Sequence, residues 1–189
     1  MENLIAYLNR ISPLSEQTLS LMDSIFVLDN IKKGDYFVDE GERAHEIAFL
    51  ERGVVRAFYS NQQGKEYNKT LFTAPAIIGS YGALITKEKN QLPQQALTDC
   101  IIWRARFDAI ERLSEDNIEI ERLRRKISEH FFVWNEKKQL EVALLDATER
   151  YLIFQKEHPG IEAAIPQYHI ASYLGISPTQ LSRIRKKTP

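Results

Sequence analysis

With 189 residues, 43% of them hydrophobic and 27% charged, the chain can bury one large core or two small ones and is not a disordered protein. Its net charge of −1 points by itself neither to nucleic acid nor to an acidic surface partner. One cysteine, Cys100, rules out an intrachain disulfide; the opening MENLIAYLNR has no basic leader, and no stretch nears the roughly 18 apolar residues of a membrane span, so a cytoplasmic protein without a membrane partner is expected.

Short helical patterns at Leu4–Leu8 and Glu16–Met22 open the chain. A run of β-type segments follows: Phe26–Ile31, Glu46–Glu51, Val54–Tyr59, Tyr67–Phe72, Gln94–Thr98 and Ile101–Arg106. Between them lie turn signals such as Lys33-Gly34-Asp35, Glu40-Gly41-Glu42, Arg52-Gly53 and Asn61–Gly64. Short strands spaced by turns, with no crossover helices, predict an antiparallel sandwich, roll or barrel rather than a parallel sheet.

From about Asp116 to Leu145 the sequence has no Gly or Pro and is rich in Glu, Lys, Arg and Leu, which predicts one long helix. Ile120, Leu123, Ile127, Phe131 and Trp134 recur at three- and four-residue spacing along it. A helix of about 30 residues is about 45 Å long, more than a small domain covers. Two uses of the stripe stand open: packing on the chain's own roll, or on the same helix of a second copy, which is the expected homodimer interface.

The remaining segment is helical. Pro159-Gly160 stops one helix, and Gln167–Lys186 reads as helix, turn, helix. Pro166 suits a first helical turn; Ile170 and Leu174 share a face; Ala171 is small where helices cross; Gly175 sits where positive φ is needed; Ser177-Pro178 is a good start for the second helix, whose Leu181 and Ile184 face back. No Asp or Glu occurs from Ile165 to Pro189, where Arg183, Arg185, Lys186 and Lys187 give +4, leaving −5 on the rest. A basic tip on an acidic body is a footprint for phosphate backbone, and equally that of a solvated terminus. In the DNA-binding reading Ser177, Thr179, Ser182, Arg183 and Lys186 face the major groove, with Arg183 suited to guanine. Arg185, Lys187 and the Tyr168 hydroxyl suit phosphate.

Read together, these segments resemble the CRP/FNR family of bacterial regulators across nearly the whole chain. The resemblance rests on Lys33-Gly34-Asp35, Glu40-Gly41-Glu42, the run Ile47–Gly53, Gly64, the segment Ile78-Gly79-Ser80-Tyr81-Gly82-Ala83-Leu84, which is similar to the start of a phosphate-binding cassette, and Leu144–Arg150, which leads into the DNA-binding part. It implies an α+β fold: an antiparallel β-roll of double-stranded β-helix or jelly-roll type as sensor domain (1–113), a dimerisation helix (114–145) and a helix-turn-helix domain (146–189). It also implies double-stranded DNA, RNA polymerase and a small-molecule effector as partners.

The resemblance places the effector pocket at Gly79, Ser80, Tyr81, Gly82, Gln94, Gln95, Trp134 and Asn135. Where cyclic-AMP-binding members carry a ribose-binding Glu, this chain has Ser80; where they carry a phosphate-binding Arg, it has Pro93 to Gln95, Gln94 foremost. Cyclic AMP is therefore not the expected effector, because a buried phosphate without a cation is costly. One Cys cannot hold an iron–sulfur cluster, which takes about four. His45, His130, His158 and His169 show no metal-ligand spacing, and His169 is expected on the exposed face of its helix. No P-loop or nucleophile elbow is present, so an enzyme is not expected; a ligand-binding module that does not bind DNA remains the alternative.

Overall fold

The computed structural model describes residues 1–187; Thr188 and Pro189, the end of the expected DNA-binding domain, lie outside the described residues. In chain order the elements are α1 (Glu2–Ile11), α2 (Glu16–Ile25), β1 (Val27–Ile31), β2 (Tyr36–Val38), β3 (Glu46–Arg52), β4 (Val54–Ser60), β5 (Glu66–Thr73), β6 (Ala76–Ile78), α3 (Tyr81–Thr86), β7 (Gln94–Ala96) and β8 (Cys100–Arg106). Then come α4 (Phe107–Asp116), α5 (Ile118–Leu144), α6 (Ala147–Glu157), α7 (Ile161–Ala164), α8 (Gln167–Tyr173) and α9 (Pro178–Lys187).

The strands form two antiparallel four-stranded sheets, ordered β1-β8-β3-β6 and β2-β7-β4-β5. That alternation is the eight-stranded jelly roll of the α+β class expected from the sequence. Ala48, Leu50, Val55, Ile78, Ala96 and Ile102 fill the space between the sheets. Cys100 is buried there too, and burial pushes its thiol pKa up, away from the reactive thiolate.

An irregularity in the second sheet decides which side chains face the interior. On β4–β5, Ala57 pairs with Thr70 and Phe58 with Asn68, so Lys69 is an extra residue in a β-bulge. Side chains normally alternate faces, so an extra residue switches the parity of everything beyond it. Thr70 and Phe72 consequently face the roll interior, while Asn68 faces the opposite side.

The long helical stretch begins with its own start signal. Asn117 is extended, at φ −129° and ψ 102°, and its Oδ1 accepts from the backbone N–H groups of Glu119 and Ile120 at 3.0 and 3.2 Å. This cap separates α4, which the sequence pattern did not suggest, from α5. The 27 residues of α5 span about 40 Å.

The expected dimer stripe divides along this helix. Ile120 and Leu123 are fully buried in a core shared with Leu4, Leu8, Phe49 and Ile110, so the chain's own roll takes them and they offer nothing to a partner. Ile127, Phe131 and Trp134 are partly buried and line a cavity. The large apolar side chains that α5 exposes lie elsewhere: Ile118 at its start, and Phe132, Val133, Leu140, Val142 and Leu144 in its second half.

The C-terminal helices sit on the outer face of β4 and β5. Val54, Leu71 and Leu97 from the roll join Tyr151, Phe154, Ile161, Ile170, Leu174 and Leu181 in one core. Asp146 opens α6 with a capping box, its carboxylate accepting from Thr148 and Glu149 while the Glu149 side chain accepts from the Asp146 N–H.

Candidate effector cavity and nucleic-acid interface

A cavity of about 630 Å³ lies between the roll and α5, within the ordinary range for small-molecule sites. The turn before α3 forms one wall. Gly79 has φ +148°, and a Cβ there would come within 3.0 Å of the Ile47 side chain, so only glycine lets this segment lie against β3. Ser80, Tyr81 and Gly82 follow along the same wall. The buried Ser80 hydroxyl donates to Asn90 Oδ1 at 2.8 Å and lies 3.3 Å from the Leu92 carbonyl. Tyr81 packs edge-on to Phe107 and its hydroxyl accepts from Ser128 at 3.1 Å. Across the cavity stand Phe131, Trp134 and Asn135; the Asn135 amide donates to the Phe131 carbonyl at 2.8 Å.

Gln94 also lines the cavity, 1% exposed, and its Oε1 is buried without a hydrogen-bond partner. Gln95 does not. Strand alternation turns it to the outer face, where its Oε1 accepts from Arg56 Nε and Nη2 at 2.9 and 2.7 Å and its amide donates to the Gly34 carbonyl. The expectation for Gln95 is thereby corrected: two neighbours on a strand cannot both face one cavity.

Beyond Gln95 runs a polar chain that the sequence did not reveal. Arg56 is 5% exposed, pairs with Glu66 at 2.6 Å, lies 3.8 Å above the Phe58 ring and reaches Asn68 Oδ1 at 3.4 Å. The Asn68 amide donates to the His169 carbonyl at 2.9 Å and lies 3.3 Å from His169 Nδ1, while its backbone N–H donates to the Ser172 hydroxyl at 3.0 Å. His169 is therefore buried, not exposed as expected, because the face of α8 opposite its own helical core packs on β5. Burial, with the Arg56 charge adding to it, pulls the His169 pKa down to about 4.

In α8 and α9 the residues that the sequence places in a helix-turn-helix core pack together. Ile170, Ala171 and Leu181 are fully buried and Leu174 nearly so; Gly175 takes φ +69° at the turn, the left-handed region that glycine enters at least cost. Ser177 caps α9 in a box with Gln180: the Ser177 hydroxyl lies 3.2 Å from the Gln180 N–H, and Gln180 Oε1 accepts from the Ser177 N–H at 3.0 Å. Its hydroxyl is thus occupied by the helix start. Thr179, Ser182, Arg183, Lys186 and Lys187 are exposed, as is Tyr168 on α8. Among the described residues Arg183, Lys186 and Lys187 have no ion pair, whereas Arg185 is held by Glu162 at 3.1 Å. Also among the described residues, no group of three His, Cys, Asp or Glu gathers in metal-holding geometry, and no helix is long and apolar enough to cross a membrane.

Residues 28–117 match the family model of the cyclic nucleotide-binding domain. Solved structures share the architecture over most of the chain. FixK2 from Bradyrhizobium japonicum superposes with a TM-score of 0.73 at 16% identity, covering 86% of this chain and 84% of that one. A CooA variant from Carboxydothermus hydrogenoformans gives 0.68 at 16% identity, covering 98% and 83%. The c-di-GMP responsive global regulator CLP of Xanthomonas campestris gives 0.66 at 15%, covering 92% and 91%. At these identities the likeness establishes the fold. No curated protein matches the sequence closely enough to count as a relative. On the cavity wall the Ser80 hydroxyl is committed to Asn90, and the buried Gln94 is uncharged.

Proposed function

We propose that this protein is a sequence-specific DNA-binding transcription regulator of CRP/FNR type, working as a homodimer and responding to a small-molecule effector, other than cyclic AMP, held in its β-roll. The observation that carries the reading is the exposed face of α9, which presents Thr179, Ser182, Arg183, Lys186 and Lys187 with no acidic residue among them. Fold likeness to CLP, a global regulator linked to virulence gene expression, supports it. The working units are a sensor at 1–113, a dimerisation helix at 114–145 and a DNA-binding unit at 146–189, with RNA polymerase a further partner.

The dimer contact belongs on the exposed apolar face of α5, with Phe132, Val133, Leu140 and Leu144 taking the place of Ile120 and Leu123. Large apolar side chains exposed together on one helix are costly in water unless a partner covers them. Phe131 and Trp134 then serve the cavity, and Arg185, paired with Glu162, holds α9 to its own domain.

Two classes of basic residue are expected to fail differently. Arg183→Ala removes a planar fork able to bind guanine, and should cost about 1–3 kcal/mol per half-site with relaxed preference at one base pair. Lys187→Ala removes a phosphate contact, weakening all sequences alike and flattening the salt dependence by about one unit per contact. Titrations on a selected operator at several salt concentrations measure both. An Arg183→Ala protein with unchanged affinity and base preference would mean that α9 is not the reading helix.

A further inference from the structure

The cavity carries cations that the nucleotide-binding arrangement does not explain. The β-bulge at Lys69 sets this side chain beside Thr70 on the cavity wall, one strand away from Gln94. Bulges re-aim a side chain in this way, and an unbroken alternation would have sent Lys69 to the face opposite Thr70. Lys69 and Lys89 both line the cavity, both are exposed, and neither is ion-paired among the described residues. Arg124, also on the wall, is by contrast committed to Glu121, Glu111 and the Ser114 hydroxyl. Much of the rest of the wall is aromatic or aliphatic, with Phe72, Phe107, Phe131 and Trp134 among them, and it carries one carboxylate, the exposed Glu88. In the cavity wall the buried Gln94 Oε1 lacks a donor, and a buried acceptor left unmatched is destabilising unless a bound group supplies one.

We infer that the cavity takes a planar aromatic carboxylate that also bears a hydrogen-bond donor, its carboxylate drawn to Lys69, its rings among the aromatic walls and its donor given to Gln94. An ammonium reaching a carboxylate beside apolar walls makes a charge-assisted hydrogen bond that a neutral analogue forgoes. A cyclic nucleotide brings a phosphate and a ribose diol, whereas here Lys69 and Lys89 are exposed, Arg124 is committed to its own carboxylates, and the wall carboxylate Glu88 is exposed. The inference rests on reading the roll as the sensor, and names the chemistry that it senses.

The test is calorimetric titration of the full chain with 6-hydroxy-2-naphthoate, its neutral carboxamide, 2-naphthoate lacking the hydroxyl, and cyclic AMP. The acid should bind about tenfold more tightly than the carboxamide, and several-fold more tightly than 2-naphthoate. Lys69→Met keeps the aliphatic stem of an exposed, unpaired side chain, so the fold is retained; it should bring acid and carboxamide to the same affinity, while Lys89→Met keeps most of the preference. Equal binding of acid and carboxamide by the wild type overturns the inference, as does a preference that survives Lys69→Met, tighter binding of cyclic AMP, or no heat from the acid up to millimolar concentration. DNA binding is measured in the same samples. Acid binding that leaves operator affinity unchanged keeps the ligand class and removes the effector role; DNA binding without acid binding removes the ligand class alone.

Discussion

Phe154→Ala is expected to be among the most damaging single substitutions in the chain, costing about 3–5 kcal/mol. Phe154 is 1% exposed, and its ring lies 5.7 Å from Tyr173 and 5.1 Å from His158. Its core joins two parts of the molecule: Val54, Leu71 and Leu97 come from the roll, Ile170 and Leu181 from the two helices of the motif. A cavity opened there loses packing on both sides, so the whole chain should melt roughly 10 °C earlier as one transition. Urea unfolding followed by far-ultraviolet circular dichroism measures the loss. A cost under about 1 kcal/mol would show that the C-terminal helices do not rest on β4 and β5.

Acid should weaken the same seam. His169 stays neutral in the fold, where burial first and the Arg56 charge second pull its pKa to about 4, with Glu66 opposing and Lys33 adding slightly. An unfolded histidine titrates at about 6.5. Below that value the unfolded chain binds a proton that the fold refuses, so stability present at neutral pH is lost as pH falls from 6.5 toward 4. Between pH 7.5 and 5 the loss from His169 amounts to about 2 kcal/mol. His158, whose pKa burial also lowers, adds in the same direction. His169→Gln keeps a polar side chain beside Asn68 and removes the titration, so its stability should fall less over this range. Urea melts at pH 7.5, 6 and 5 test this, and wild-type and variant curves falling in parallel would contradict it.

Much of the architecture could be read from residue patterns. Alternation and turn chemistry located the principal strands, because one face of each is buried and glycine marks the corners. The two helices α8 and α9 and their turn were legible because their requirements are local: Gly175 at positive φ, Ser177 as cap, Pro178 in the first turn, and Leu181 buried with Ile170. The three-residue strands Tyr36–Val38 and Ala76–Ile78 were missed, being too short for any period to register. Tertiary packing decided the rest. Ile120 and Phe132 are equally apolar and both lie on one long helix, yet the first is buried by α1 and the roll while the second faces out, and spacing alone does not say which side meets the chain's own core. His169 looked exposed because only one face of α8 is accounted for by the motif; its second contact, on β5, comes from a strand a hundred residues earlier. Lys69 could not be placed from sequence, since a bulge is a property of two paired strands and leaves no mark in either alone.

On the proposed function, α9 reads DNA as one of a two-fold pair. Enrichment of wild-type protein complexes from random duplex DNA tests it most directly. Two reading helices on a symmetric dimer meet successive major grooves about 34 Å apart. The enriched sequences should converge on an inverted repeat whose half-sites are centred about one helical turn apart, with affinity falling steeply as salt rises. Sequences that remain random after enrichment, or that hold a single unrepeated site, would contradict it.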